Sequence, residues 1–336
     1  MAGPKPAANP TAARLVLTVA TLFAIAVLGL LLGYRPIDTP QVWVALSSYD
    51  ARNPDHIVLA AVRFPRVVAA VLAGAALGVA GTMMQSMTRN ALADPGLLGV
   101  NAGAALGAVL SIAVLGITDP GGFVWIALGG AFLATLLVFL LGGGAQAHPV
   151  RIVLAGAAVT ALSLALIRSV LLLSSRTLET YRIWVLGGFD GVSLADIDAL
   201  APFFMVGFGL AALAGFWLNA MMLGQDVARA LGLRVGLIWC VAGLSIVLLC
   251  GASVAMAGPI AFVGLIVPHL ARRIAGPDVV WTMLFSACFG AILLILSDLI
   301  GRLAILGGNL PAGIMSALIG GPLLIWFVRQ KTMVRL

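Results

Sequence analysis

The sequence predicts an all-α polytopic membrane protein with about ten transmembrane helices, one of them short and broken. The first observation is composition: 62% of the 336 residues are hydrophobic and 9% are charged, unlike soluble domains. The second is that apolar runs long enough to cross a hydrocarbon core of ~30 Å recur along the chain. The third is that no polar segment between them is long enough to fold alone. A single membrane domain is therefore predicted.

The predicted elements follow in chain order. Residues 1–13 are rich in proline and alanine and are predicted to be a disordered cytoplasmic N-terminus, residues 14–330 form the membrane domain, and residues 331–336 form a cytoplasmic tail. The ten predicted segments are 15–33, 57–87, 97–115, 123–141, 152–173, 200–218, 237–257, 260–267, 279–306 and 312–328. In the second of them, the spacing of Gly74, Gly78 and Gly81 predicts a close helix crossing.

The eighth segment is too short to span the membrane by itself. Gly258 and Pro259 interrupt one apolar run, and a new run over 260–267 stops at Pro268 and His269. Eight helical residues extend roughly 12 Å, well under half of the hydrocarbon core. A broken backbone at this depth is tolerated only beside protein or a water-lined cavity. The segment therefore predicts a broken helix facing a protein-lined interior, with a kinked structural helix as the alternative.

The placement of charges predicts both termini in the cytoplasm. If every segment crosses and the N-terminus is inside, 11 of the 19 Lys and Arg residues fall on the cytoplasmic side and 8 on the other, which follows the positive-inside rule. The net charge of +7 sits in short loops without a basic stripe or interleaved aromatic residues. This distribution argues against nucleic acid as a partner.

The residues predict no enzyme, cofactor or metal site. No phosphate-binding G-x-x-x-x-G-K-[ST] loop occurs, and the only lysines are Lys5 and Lys331. The three cysteines lie in apolar runs without metal-ligand spacing, as small core residues do. We interpret His148 and His269, two lone histidines at loop edges, as structural.

Three arginines are candidates for binding a partner on the outer side. Arg63 and Arg66 open the second predicted span, and Arg302 closes the ninth. Exposed guanidinium groups at the mouth of an apolar bundle suit recognition of carboxylates. Two structural interpretations remain open: the arginines anchor lipid phosphate, or Arg302 forms an i,i+4 pair with Asp298.

The loop over 219–236 is the candidate contact surface on the cytoplasmic side. Gly224 and Gly232 bracket a short helix that is too polar to span the membrane. Its candidate contact residues are Asp226, Arg229 and Leu231. An ordinary amphipathic connector is the alternative interpretation.

The predicted spans lack acidic residues at mid-depth. A proton- or sodium-coupled carrier usually needs an ionisable or cation-binding cluster there. The absence disfavours an ion-coupled secondary transporter, which is the alternative function of another class.

Three long motifs carry a family resemblance over nearly the whole chain. They are RFPRVVAAVLAGAALGVAGTMMQSMTRNALADPGLLGVNAGAALG (63–107), GPIAFVGLIVPHLARRIAGPD (258–278) and NLPAGIMSALIGGPLLIWFV (309–328). Their sequence resembles the FecCD family, the permease subunits of ABC importers for ferric siderophores, haem and vitamin B12. The resemblance implies the fold of type II ABC importer permeases, and it makes Gly258, Pro259, Pro268 and His269 a family motif whatever the cargo.

The resemblance also implies roles and partners. Arg63, Arg66 and Arg302 would dock a periplasmic or lipoprotein substrate-binding protein, and Asp226, Arg229 and Leu231 would contact an ATPase subunit. The partners would be a second permease, identical or paralogous, and two ATP-binding subunits that hold the ATP and magnesium. The protein would lie in the inner membrane of a bacterium. A ferric siderophore is the expected cargo, with haem or a corrinoid as the alternative.

Two positions depart from the family pattern. The residues before the fifth span, 147–150, lack the hydroxyl side chains found at the matching inner gate, so the chemistry of that gate is open. Asn309 stands where many relatives carry glutamate, which removes one charge from the outer rim.

Overall fold

The computed structural model describes residues 10–33, 50–117, 120–143, 149–304 and 309–329, with a few isolated positions between 40 and 48. These ranges hold helices and no strand. The helices are α1 (Pro10–Leu31), α2 (Pro54–Thr88), α3 (Val100–Leu115), α4 (Pro120–Leu141), α5 (Pro149–Leu173), α6 (Ser175–Trp184), α7 (Leu194–Met222), α8 (Gln225–Ala230), α9 (Val235–Ala257), α10 (Val263–Ala275), α11 (Val279–Leu303) and α12 (Ala312–Arg329).

Seven of the described helices are long and apolar enough to cross a membrane: α1, α2, α4, α5, α7, α9 and α11. Two shorter apolar helices, α3 and α12, occupy the positions of two further predicted spans. The chain is therefore an all-helical, multi-pass membrane protein, whereas ten crossings remain a prediction. At the N-terminus, residues 10–13 belong to α1 and are not disordered. Residues 1–9 and the predicted tail lie outside the described ranges.

Helix α2 forms the centre of the bundle. Buried residues make up 78% of its apolar window, against 6% for α1 at the periphery. It packs against α7, α9, α10 and α11. The predicted close crossing is confirmed, because a Cβ atom on Gly74 would overlap the Gly290 carbonyl of α11, and one on Gly290 would overlap the Gly74 carbonyl. Two backbones this close need glycine on both sides.

Local hydrogen bonds fix where two of the long helices begin. Ser193 and Asp196 form a reciprocal capping box at the start of α7. Asp278 caps α11 by accepting from the Trp281 N–H at 2.9 Å. Asn219, near the end of α7, donates to Asp278 at 3.1 Å and accepts from the Val279 N–H at 2.7 Å. The end of α7 and the start of α11 are thus held at the same level of the bundle.

The short broken segment differs from its prediction at both ends. Gly258 follows α9 with φ +70°, and Phe262 precedes α10 with φ +69°. The helix begins at Val263 rather than at residue 260, and it continues through Pro268 to Ala275. The prediction that Pro268 ends the helix is wrong, because Gln85 of α2 supplies the hydrogen bond that the proline cannot donate.

Candidate functional sites

One end of the bundle carries a group of polar side chains that we call the arginine cluster: Arg63, Arg66, Asp190, Asp298, Arg302 and Asn309. Arg66 lies at its centre. Its Nε donates to Asp298 Oδ1 at 2.7 Å, its Nη1 donates to Asp190, and its Nη2 donates to Asn309 Oδ1 at 3.3 Å. Asn309 also donates to Asp190. One guanidinium therefore joins α2 to α11 and to two loops.

The other two arginines of the cluster bind the end of α1. Arg63 Nη1 donates to the carbonyls of Leu30 and Leu31 at 2.7 and 2.9 Å. Arg302 donates to the carbonyls of Gly29 and Leu32, each at 3.2 Å. The last carbonyls of a helix have no partner within the helix, and the helix dipole favours a cation there. Both arginines therefore stabilise the end of α1.

The backbone of α2 contains a π-helical turn at the first of these arginines. The turn runs from Val58 to Arg63, before the regular α-helix begins at Phe64. Short π turns often occur at functional positions because they rotate the side chains that follow. No sequence signal predicted this turn.

The expectation that these guanidinium groups are exposed is wrong. Arg63 is 4% exposed and Arg66 is 6% exposed, and the Arg302 side chain is 9% exposed. The i,i+4 pair is confirmed, with Arg302 Nε 3.1 Å from Asp298 Oδ2. The prediction missed the carboxylates that bind Arg66 and the α1 carbonyls that bind Arg63 and Arg302, because residues far apart in sequence supply them. Docking of another protein remains a prediction.

A cavity of about 440 Å³ lies beside the arginine cluster. Its walls come from α6, the loop over 185–193, the end of α9 and the start of α12, with Trp184, Asp190, Met256 and Pro311 among the lining residues. The Asp190 side chain is 56% exposed, although its carboxylate binds Arg66. Asp190 therefore joins the wall of the cavity to the buried arginine.

Gln85 of α2 explains how α10 continues through its proline. Pro268 has no N–H and cannot donate to the carbonyl of Gly264, four residues earlier. The Gln85 side-chain amide donates to that carbonyl at 3.3 Å and to the Leu265 carbonyl at 3.0 Å. A neighbouring helix thus supplies the missing hydrogen bond.

The same glutamine binds the buried Arg272, which is 7% exposed. Arg272 Nη1 donates to Gln85 Oε1 at 2.7 Å, and its Nη2 has no hydrogen-bond partner among the described residues. Within those residues no carboxylate pairs with it. Arg272 lies in the last turn of α10 and Gln85 in the last turn of α2. Two helix C-termini therefore partly offset its charge.

His269 is 6% exposed, and its ring packs 5.5 Å from the ring of Phe327 on α12. The neighbouring Arg273 lies over the same ring at 4.7 Å. These contacts agree with a structural interpretation of the histidine. The other lone histidine, His148, lies outside the described residues, as do the other predicted gate residues up to 148. Among the described residues no group of three metal-ligating side chains is found.

The loop after α2 folds into the bundle instead of lying at its surface. The Pro95 ring packs against Gly264 of α10, so closely that a Cβ added to this glycine would contact the ring. The Leu97 carbonyl packs in the same way against Gly156 of α5. Asp94 caps the short 3₁₀ turn by accepting from the Gly96 N–H at 2.7 Å. Burial raises the pKa of this carboxyl, and the bond from Gly96 opposes the rise.

The connection predicted over 219–236 is shorter in the structure, because α7 continues to Met222 and α9 begins at Val235, and it contains the expected short helix. Gly224 and Gly232 have φ of +120° and +81°, and α8 lies between them as Gln225–Ala230. Asp226 and Arg229 form an exposed ion pair at 2.8 Å. Leu231 is 64% exposed and follows the helix directly. The three predicted contact residues are thus accessible on one short element beside the ends of α7 and α9.

Comparison with known proteins gives a consistent result along the chain. Residues 20–330 match the model of the FecCD transport family. The chain is 39% identical over 307 residues to the ferric enterobactin transport system permease protein FepD of Escherichia coli, covering 91% of each chain. It is 37% identical over 278 residues to the Fe(3+)-citrate import system permease protein YfmD of Bacillus subtilis, covering 83% of each.

A solved structure has the same fold. It is an inward-facing conformation of a metal-chelate type ABC transporter, with a TM-score of 0.84 and 28% sequence identity. The match covers 94% of this chain and 99% of the other.

Proposed function

The chain belongs to the FecCD transport family, and from this premise we propose that it is the permease subunit of an ATP-driven importer for a ferric siderophore. The observation that carries the proposal is the length of the similarity: relatives named for transport of iron chelates match 91% and 83% of the chain. A similarity of this length includes the bundle, the broken segment and both candidate contact surfaces.

The topology that we propose has ten crossings and both termini in the cytoplasm. Under this topology the arginine cluster faces outward, and α8 and the Gln85–Arg272 pair face the cytoplasm. The positive-inside count supports this orientation. Cargo would move between the two faces by alternating access, passing the broken segment on the side that protein lines. In transporters, irregular backbone at membrane depth lies beside protein or a water-filled cavity. The membrane is the inner membrane of a bacterium.

We propose that the substrate-binding protein docks at the arginine cluster by exchanging carboxylates. Arg66 already binds two carboxylates and an amide and is only 6% exposed, so a third carboxylate reaches it only if one of these partners leaves. Asp298 is 2% exposed and cannot leave, whereas the Asp190 side chain is 56% exposed. A carboxylate on the docking protein would therefore displace Asp190 and keep Arg66 paired. Arg63 and Arg302 would hold the end of α1 in position for this exchange.

The connection between α7 and α9, residues 223–234, is the proposed contact with the ATPase subunit. Asp226, Arg229 and Leu231 are exposed on it, and Leu223 and Val227 add apolar surface that is 69% and 44% exposed. Apolar side chains with a charged rim are typical of protein interfaces. Because the chain has no phosphate-binding loop, ATP and magnesium would bind on two separate ATPase subunits. A second permease, identical or paralogous, completes the transporter.

The test is uptake of radiolabelled iron into proteoliposomes that hold this chain, its second permease and its ATPase. A panel of ferric chelates is supplied with the substrate-binding protein, with and without ATP inside. The expected result is ATP-dependent uptake of one siderophore. Transport of haem or a corrinoid instead would change the proposed cargo but not the proposed class of transporter. Uptake driven by an ion gradient without the ATPase would replace the proposal by a secondary transporter.

A further inference from the structure

Three helix ends carry exposed arginines at the end of the bundle opposite the arginine cluster, and we call this group the basic corner: Arg14, Arg273 and Arg329. Arg14 lies near the start of α1, Arg273 lies in the last turn of α10, and Arg329 ends α12. Helix α10 packs against both α1 and α12. The basic corner therefore joins three neighbouring helices at one level of the bundle.

Two of these arginines are held at the end of α10. Arg14 Nη1 donates to the carbonyl of Ile274 at 3.3 Å, and Ile274 directly follows Arg273 in the chain. The Arg273 guanidinium lies over the rings of Phe327 and Trp326, 4.7 and 5.6 Å from their centroids. Aromatic rings attract a cation placed over their faces. Contacts from α1 and from α12 thus bring two cationic groups to the same helix end.

The acidic residues of this end of the bundle already bind other groups. Asp226 forms its ion pair on α8, Asp278 caps α11, and Asp94 caps the 3₁₀ turn. Within the described part of the chain, Arg14 takes part in no ion pair. Its charge is therefore open to an external anion.

Each arginine of the basic corner has an exposed apolar side chain one helical turn closer to the centre of the bundle. These side chains are Leu17 on α1, Leu270 on α10 and Trp326 on α12, which are 69%, 39% and 49% exposed. Each lies three residues from the arginine of its own helix, and residues three apart share a helix face. Cationic groups above an apolar surface, with a tryptophan at the boundary, are typical of the membrane interface.

A glycerophospholipid has the complementary arrangement, because its phosphate lies just above two acyl chains. An acidic segment of another subunit would also offer an anion, but it would have to enter the hydrocarbon layer to cover the exposed leucines, where its backbone would lose its hydrogen bonds to water. A lipid covers the same surface without this cost. The negative charge of the cytoplasmic leaflet favours a lipid with a net negative charge.

We propose that the basic corner binds an anionic glycerophospholipid, with the phosphate between Arg14 and Arg273 and the acyl chains over Leu17 and Leu270. Arg329 adds positive charge beside the head group, so it favours a lipid without an ammonium group. The assignment to the cytoplasmic leaflet rests on the proposed topology, whereas the binding site does not depend on the cargo or on ATP.

The test compares two lipids with the same acyl chains. Dioleoyl phosphatidylglycerol has one net negative charge, and dioleoyl phosphatidylethanolamine has none. The purified full chain is titrated with each lipid in detergent, and bound lipid is measured by native mass spectrometry. We expect phosphatidylglycerol to bind about fivefold more tightly. Glycerol 3-phosphate, which has the phosphate without acyl chains, should not compete at millimolar concentration.

Substitutions assign this preference to the basic corner. Arg14→Gln should lower it from about fivefold to about twofold, since one of the two arginines at the phosphate loses its charge. Arg14→Lys keeps the charge and should keep the preference, and Arg14→Gln combined with Arg273→Gln should abolish it. Arg151→Gln is the matched control, because Arg151 is an exposed arginine in the first turn of α5, at the same end of the bundle but on a different helix.

The proposal fails if the unchanged protein binds the two lipids equally, or if Arg14→Gln and Arg151→Gln have the same effect. Competition by glycerol 3-phosphate would also overturn it and would make the basic corner a site for a free phosphate group. So would loss of the preference once the chain is assembled with a second permease and the ATPase, because another subunit would then cover the surface. Lipid binding to the chain is measured without transport, so a failure of the proposed importer function would leave these results unchanged.

Discussion

Arg66 and Arg272 are both buried arginines, yet the protein compensates their charges in different ways. Arg66 is paired with the carboxylates of Asp298 and Asp190. Arg272 has only the amide oxygen of Gln85 and the C-terminal ends of two helices. An unpaired buried charge is costly, and a carboxylate offsets it more completely than a neutral amide does. The arginine cluster is therefore closed to new partners unless a carboxylate leaves, whereas Arg272 keeps one N–H group unused.

The largest expected effect comes from removing the shared carboxylate of the arginine cluster. Asp298→Ala leaves Arg302 without an acid and Arg66 with Asp190 alone, so the free energy of unfolding should fall by about 4 kcal/mol. Thermal unfolding of the purified protein in detergent measures the loss. Asp226→Ala, which breaks the exposed pair with Arg229, is the matched control and should leave the midpoint unchanged. Equal effects of the two substitutions would contradict the importance of burial.

The next effect tests the glutamine at the other end of the bundle. Gln85→Leu keeps much of the side-chain volume but removes the partner of Arg272 and the donor to the carbonyls of Gly264 and Leu265. Leaving these buried groups unpaired should cost about 3 kcal/mol. The same unfolding measurement applies. A smaller loss than that of a Gln225→Leu substitution, at a partly exposed position of α8, would show that Gln85 does not hold α10.

A smaller effect separates the two roles of Gln85. Pro268→Ala restores the N–H that a regular helix donates to the Gly264 carbonyl. In that background Gln85→Leu should cost about 1 kcal/mol less than it does alone, since one of its orphaned groups then has a partner. A double-mutant cycle on unfolding midpoints gives this coupling. Strict additivity would mean that the hydrogen bond from Gln85 to the Gly264 carbonyl contributes nothing to stability.

The smallest effect on stability is expected at Asp190, the most exposed member of the arginine cluster. A substitution there tests the proposed docking. Asp190→Asn weakens the internal competitor for Arg66 while Asp298 remains in place. Stability should change little, and affinity for the substrate-binding protein should rise about fivefold, as expected for roughly 1 kcal/mol. Binding to the transporter in nanodiscs at several salt concentrations measures the change. Weaker binding would instead make Asp190 itself a contact residue.

The two arginines also show which features of this protein are visible in its sequence and which are not. Hydropathy predicted the positions of the long helices, because crossing a membrane requires a continuous apolar run that is visible in the sequence. The bracketing glycines predicted α8, and the glycines of α2 predicted a close helix crossing, whose partner in the structure is α11. The same reasoning wrongly predicted that Arg63 and Arg66 are exposed and that a helix ends at Pro268. Each of these errors concerns a polar group whose partner lies more than thirty residues away.

The sequence by itself therefore determined the fold class, the family and the positions of most helices, because these follow from local composition and from long contiguous motifs. Only the tertiary structure decided which polar groups are satisfied. It buried the three arginines of the arginine cluster, carried α10 through its proline with a hydrogen bond from Gln85, and folded the loop that holds Asp94 into the bundle. Hydrogen bonds and ion pairs depend on distance in space, and a linear pattern of residues carries little information about it.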